Sequence, residues 1–290
     1  MFVQYRHTNH DIIKIYLPLE KIESALLKTN LAFILLVCFL LSCRNEDNQA
    51  PVVDTLEATT EETSNPVDSL GIDFITGNFN PASDSSFVLI DISYADREGM
   101  YMKTEAYSAF KQMWEAARAD GVDLVIRSAT RNFDYQKSIW EKKWTGKTLL
   151  SDGTNALKDL KTSEERAIKI LEYSSMPGTS RHHWGTDIDL NSFNNEWFET
   201  GQGLEVFEWL SKNAADYGFC RPYTEKGEDR PEGYNEEKWH WSYVPLSEGY
   251  TQFAKEHLKN ENIQGFLGSS VSNEINVVEN YVLGINHECK

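Results

Sequence analysis

The chain has 290 residues, of which 28 are basic and 45 acidic, giving a formal net charge of -17. So acidic a surface repels polyanions, which argues against nucleic acid and bare anionic membrane faces as partners. Charge carries no information about catalysis, which has to be read from the motifs.

In chain order the first feature is a targeting signal. Leu31 to Leu41 is an almost unbroken apolar run, preceded by Lys28 and followed by Ser42-Cys43. It is too short for a spanning helix, which needs ~20 apolar residues, and it suits the hydrophobic region of a signal peptide. Leu40-Leu41-Ser42-Cys43 resembles the lipobox of bacterial lipoproteins, in which the cysteine becomes the lipidated first residue. Residues 1–43 are therefore expected to be a signal peptide ending in a lipid-bearing Cys43, with the mature protein held at the cell envelope by that anchor alone. Of the other cysteines, Cys38 lies in the apolar run, leaving Cys220 and Cys289. An exported protein can form disulfides, and sequence leaves open whether these two meet.

Residues 44–70 hold seven acids and a single Arg44 with almost no aromatics. Such a stretch cannot bury enough apolar surface to offset its ordering entropy, so residues 44–83 read as a flexible acidic tether. The roughly 200 residues that follow suffice for one domain with a real core, placed at residues 84–260 with a helical extension at 261–290 packed on it.

Within the domain, Ala106, Phe110, Met113, Trp114 and Ala117 recur at helical spacing over residues 104–119, ended by Asp120-Gly121. Val122 to Arg127 reads as a strand. Phe133 to Lys143, opened by Asn132 as an N-cap, and Ser163 to Tyr173 read as helices. A strand is expected at Ile188 to Leu190, a helix over 204–217, a strand from Trp239 to Val244, and closing helices over 246–258 and 274–285. Strands and helices interleave without regular βαβ spacing, which points to an α+β fold: a small antiparallel sheet flanked by helices.

The chemistry concentrates in two short segments. Beyond residue 43 there are five histidines (182, 183, 240, 257, 287), and three of them fall within Ser180–Asp189 and Glu237–His240. A hydrolytic zinc site needs three protein ligands, an open position for water and a base beside it, and these segments hold that set. His182 and Asp189 are an odd number of residues apart, so on one straight strand they would face opposite ways. Gly185 between them is the natural bend. Asp187 shares a face with Asp189 and is either a rival ligand or an acceptor for a ligand imidazole. Either His182 or His183 could be the ligand. Alternation in Trp239–Val244 puts His240, Ser242 and Val244 on one face and Trp239, Trp241 and Tyr243 on the other, toward packing. Glu237 is the candidate general base, with Glu236 its immediate rival. Upstream, Arg131 sits where a strand gives way to a helix and could clamp a carboxylate or stabilise an oxyanion.

Taken together, Ser180-x-His182-x-x-Gly185-x-x-x-Asp189, Glu237-x-x-His240 and Ser128-Ala-Thr-Arg131 with Gln136 resemble the zinc D-alanyl-D-alanine carboxypeptidases and the related L,D-carboxypeptidases, over about residues 100–245. The resemblance implies the hedgehog/DD-peptidase fold, one zinc ion held by His182, Asp189 and His240, and Glu237 as base. It also implies that Arg131 contacts the substrate or oxyanion and that Gln136 and Ser180 line the substrate site. Asp187 departs from the small residue the family commonly has there, and His183-Trp184 is bulkier than usual. The substrate so implied is the peptidoglycan stem peptide, cut at its terminal D-alanine. An L,D-carboxypeptidase or a cross-link endopeptidase is the enzymatic alternative, and a zinc-binding module without turnover is the alternative from another class. The loop from Thr224 to Asn235 runs into Glu237 and is expected to wall the cleft.

Overall fold

A computed structural model describes residues 70–290. The signal peptide, Cys43 and most of the expected tether lie outside the described residues. The tether's last part does not: Ile72–Ile75 forms a short helix, α1, and Ile75 is fully buried in the core. Composition missed this because three apolar residues, Ile72, Phe74 and Ile75, suffice to dock so short a segment.

Two sheets follow. Strands β1 (Phe87–Leu89) and β2 (Tyr101–Lys103) pair antiparallel. The second sheet is built from β3 (Ile126–Ser128), β4 (Asp187–Leu190), β5 (Phe219–Cys220) and β6 (His240–Tyr243). Its order is β3-β4-β6-β5 and every pairing is antiparallel. The longer helices are α2 (Thr104–Ala119), α3 (Phe133–Trp144), α4 (Ser163–Ile170), α5 (Gly201–Asn213) and α6 (Val244–His257). The fold is α+β, as expected.

Local chemistry accounts for the helix boundaries. Ala106, Phe110, Met113 and Ala117 of α2 line one buried stripe, and the chain leaves the helix through Gly121 at φ +83°. The Asn132 side chain accepts from Tyr135 N at 3.0 Å and starts α3. Thr162 and Glu165 form a reciprocal capping box at the head of α4.

Alternation divides the larger sheet into two faces. Ile126, Ile188, Leu190, Trp241 and Tyr243 pack with α2 and α5 into one apolar core. Asp187, Asp189, His240 and Ser242 occupy the other face, in a register that pairs Asp189 with His240 and Asp187 with Ser242. A second core gathers Trp140, Trp144, Ile170, Trp184 and Ala254 with residues from the C-terminal stretch.

Three expected elements differ. The strand at 122–127 shrinks to Ile126–Ser128, because the preceding residues are spent on the exit from α2. The helix from Ser163 stops at Ile170. The expected helix over 274–285 is one π-helical turn, Val278–Val282, flanked by turns. The extension at 261–290 is thus mostly irregular, and it is held by Val271, Ile275, Val277, Val282 and Ile285 in the second core. Among the described residues no helix is long and apolar enough to cross a membrane.

Cys220 and Cys289 are joined in a disulfide across a sequence separation of 69, tying β5 to the C-terminus. Closing a loop of that length removes denatured-state entropy equivalent to about 4 kcal/mol. Cys289→Ser is expected to lower unfolding free energy by that order in urea titrations, and reductant should lower the wild type equally. An unchanged midpoint in both cases would show that the bond adds nothing to stability.

Candidate metal centre and its cleft

The site is assembled where three chain segments meet on the polar face of the larger sheet. Residues Arg181–Trp184 make a tight turn that ends at Gly185, φ +74°. A Cβ at Gly185 would lie 2.3 Å from the Phe87 ring, so both backbone sign and space demand glycine. The bend turns His182 toward β4, and His182, Asp189 and His240 come together fully buried. One ligand atom from each lies within 4.8 Å of the other two.

Hydrogen bonds select which nitrogen each imidazole presents. His182 donates Nδ1–H to Ala129 O at 2.8 Å, which aims Nε2 at Asp189 Oδ2, 3.2 Å away. His240 spends Nε2–H on Asp187 Oδ1 at 2.9 Å and faces Glu237 Oε2 with Nδ1, at 3.2 Å. Both imidazoles are thus oriented from behind by an oxygen acceptor, as metal-ligating histidines commonly are. His182 Nε2 and Asp189 Oδ1 are buried without a hydrogen-bond partner among the described residues. Orphaned buried atoms of this kind cost free energy unless something coordinates them, and two imidazole nitrogens with one carboxylate oxygen is a donor set suited to a divalent ion.

Burial and neighbouring charges shift every one of these groups. Burial and the nearby Arg131 charge lower the His182 pKa, keeping the ring neutral. Burial opposes the charge on Asp189, yet the His182 side chain beside it holds its pKa down to about 2. His240 is also desolvated, but Asp187 and Glu237 outweigh that and raise it to about 9. Burial raises the pKa of Glu237 above the usual carboxylate range.

Asp187 is the acceptor behind His240, one of the two roles open to it. Its carboxylate accepts from Arg181 Nε at 3.0 Å, His240 Nε2 at 2.9 Å, Thr186 Oγ1 at 2.6 Å and Ser242 Oγ at 3.0 Å. Arg181 is fully buried, stacked 4.5 Å from the Trp184 ring centroid. It also donates to Thr251 and Ser242. Sequence reasoning missed Arg181. The signal was there, since a buried aspartate at 187 needs a cation and Arg181 lies inside the same motif.

His183 is a positioning residue. Its Nε2 accepts from Gly178 N at 3.0 Å and its Nδ1–H donates to Arg131 O at 2.5 Å. A further bond runs from Arg131 N to His182 O at 3.1 Å. The histidine motif and the start of α3 are thereby fastened together. Neither His183 nor Trp184 lines the cleft; both are buried in the framework behind it.

Glu237 is buried beside His240, whereas Glu236 points away into an ion pair with Arg221 at 2.8 Å. Asn195 grips this segment from both sides, donating to Glu236 O at 2.7 Å and accepting from Lys238 N at 3.0 Å. Beside the ligands opens a cleft of about 760 Å³, lined by Arg131, Lys143, Tyr173, Asp189, Glu237 and Trp239 among others. Arg131 is half-buried there and, among the described residues, makes no ion pair. Gln136 is buried, donates to Ser175 O at 2.8 Å, and lines a small inner cavity with Glu237 and His240. Ser180 is buried under the histidine turn, its hydroxyl without a hydrogen-bond partner among the described residues, and it does not line the cleft. Asn235 brings the end of the 224–235 loop to the cleft wall. Inside that loop a buried Arg230 donates to the carbonyls of Thr224, Glu232 and Tyr234.

Residues 99–246 match the family model of the VanY D-alanyl-D-alanine carboxypeptidases. The chain belongs to this family. It is 30% identical over 175 residues to the putative carboxypeptidase YodJ of Bacillus subtilis, covering 59% of this chain and 56% of that one. It is likewise 30% identical over 138 residues to a D-alanyl-D-alanine carboxypeptidase of Enterococcus faecalis, covering 47% and 46%. The chain thus spans about half the length of the curated relatives it matches. Among solved structures it is similar to a vancomycin-resistance D,D-pentapeptidase VanY variant in complex with Zn(II). That likeness has 24% identity and a TM-score of 0.42, over 63% of this chain and 88% of that one. All the residues of the candidate centre fall inside the family match.

Proposed function

We propose that the chain is a zinc-dependent peptidoglycan carboxypeptidase that removes a terminal D-alanine from stem peptides. The observation that carries this reading is the convergence of buried ligand atoms from His182, Asp189 and His240 beside Glu237, next to a cleft that also holds Arg131, which makes no ion pair among the described residues. The residues fit one zinc ion. When bound, zinc supplies Lewis-acid chemistry, polarising the amide carbonyl and bringing the pKa of water toward ~7.

The protein's own groups do the rest. Glu237 accepts the proton of the attacking water and passes it to the leaving amine, a role helped by burial, which raises its pKa. Asp187 keeps His240 in the tautomer that turns Nδ1 inward. Arg131 offers a bidentate cation to the free terminal carboxylate in an otherwise acidic protein.

The test is to incubate the purified protein, loaded with zinc, with defined muropeptides and to weigh the products. Loss of one terminal D-alanine from pentapeptides supports the reading. Cleavage of tetrapeptides alone would make it an L,D-carboxypeptidase, cleavage of cross-linked dimers or amidated termini an endopeptidase, and no turnover a zinc-binding module.

We also propose that the mature protein is lipid-anchored at Cys43 on an extracytoplasmic membrane face, where such substrates are found. Support comes from Leu40-Leu41-Ser42-Cys43. Cys43→Ser should move the protein from the membrane to the soluble fraction, and retention at the membrane would place the anchor elsewhere.

A further inference from the structure

We propose that Lys143 is a second, specificity-determining cation of this cleft, recognising a carboxylate on the peptide other than the terminal one. The inference rests on reading the cleft as a peptide site. It starts from the face of α3 that carries Gln136, Ile139 and Lys143, spaced so that all three point the same way. Gln136 and Ile139 line the inner cavity next to Glu237 and His240, while Ile139 and Lys143 line the cleft.

Lys143 is half-buried, and its ammonium donates to Ser174 Oγ, which holds it at the cleft wall. An ammonium has three donors, and among the described residues Lys143 has no carboxylate partner in an ion pair. Two carboxylates of the same cleft, Asp152 and Glu172, are instead both engaged by Lys169 at 2.9 Å. The charged groups bearing on Lys143 are Glu237, which attracts it, and Arg131, which repels it. Burial pushes its pKa below the usual lysine value. A partly desolvated cation tied only to a hydroxyl is well placed to accept an anionic group from a ligand.

Distance along the helix sets where that group sits on the peptide. Gln136 to Lys143 is two turns, about 10 Å of helix axis. An extended peptide covers that length in about three residues. Gln136 lies beside Glu237 and His240, where the carboxypeptidase reading places the scissile end of the peptide. The carboxylate recognised by Lys143 therefore belongs to the residue about third from the C-terminus, as a side-chain acid.

Two synthetic pentapeptides ending in D-alanyl-D-alanine test this. Both carry diaminopimelate at the third position from the end, with its side-chain carboxylate free in one and amidated in the other. The wild type should prefer the free acid, and Lys143→Met should lower the ratio of kcat/KM, free over amidated, about 10-fold or more. Lys143→Arg should keep most of the preference. A ratio unaffected by Lys143→Met, or no preference in the wild type, overturns the proposal. Calorimetric binding of the same peptides to zinc-loaded Glu237→Gln protein, with and without Lys143→Met, separates it from the functional reading. Should neither peptide be cleaved by wild type while the binding preference still depends on Lys143, the carboxypeptidase reading fails and the cation's role stands. Binding without such dependence removes the role itself.

Discussion

Glu237→Gln is expected to abolish most turnover, by ~10²-fold or more, while zinc content and fold stay those of the wild type. The amide matches the carboxylate in shape but cannot accept a proton from water. Glu237 is not among the three residues whose ligand atoms converge, so its loss should spare the metal. It faces His240 Nδ1 at 3.2 Å, and burial raises its pKa. Both features suit a group that takes and then returns a proton near neutral pH. Glu236 supplies the control. It is tied to Arg221 and turned away from His240, and Glu236→Gln should leave kcat within about two-fold, since it touches neither the ligands nor Glu237's proton path. Kinetics on a pentapeptide together with metal analysis of each variant decide the matter. If Glu237→Gln turns over like wild type, the base is another group and the mechanism has to be rebuilt.

How far this site could be read without coordinates follows from which interactions are local. Alternation within each strand put Asp187 with Asp189, and His240 with Ser242 opposite Trp241 and Tyr243, and the structure has those faces. That the two polar faces coincide came only from the sheet register. The bend at Gly185 was legible because an odd spacing across a strand has few other solutions. Choosing His182 over His183 rested on the family motif. In the structure both ring nitrogens of His183 are spent, on Gly178 N and Arg131 O, whereas His182 spends only Nδ1 and leaves Nε2 facing Asp189. Long-range partners were invisible. Arg181 reaches Thr251 and Ser242, 70 and 61 residues away, and no local pattern announces such a pairing. The same holds for the docking of Ile75 and for Lys143, which sequence reads only as an ordinary residue near the end of a helix. The closing segment was misjudged for a related reason. Its apolar residues recur as in a helix, but they serve to fill a core already shaped by other elements, so tertiary packing decided the backbone.

Removing a ligand should have the largest effect of all. Purified protein is expected to hold about one zinc per chain, and His240→Ala or His182→Ala should lose both the metal and all measurable turnover. The residues behind the ligands make this prediction sharper. Asp187 takes four hydrogen bonds, one of them from His240 Nε2, and burial of its charge is offset chiefly by Arg181. Asp187→Asn keeps the volume but removes the charge that fixes the His240 tautomer, so zinc affinity should fall ~10–100-fold without vanishing. Ligands and their supporting shell are thereby graded: complete loss for the histidines, partial loss for Asp187, none for Glu237→Gln. Competition titration against a chelator of known affinity reads all three, with circular dichroism confirming that each variant is folded. Full zinc occupancy in a His182→Ala, His240→Ala double variant would mean that the ion sits elsewhere. An Asp187→Asn variant that binds zinc like wild type would mean that the buried Arg181–Asp187 pair holds the turn in place and has no part in presenting His240 to the metal.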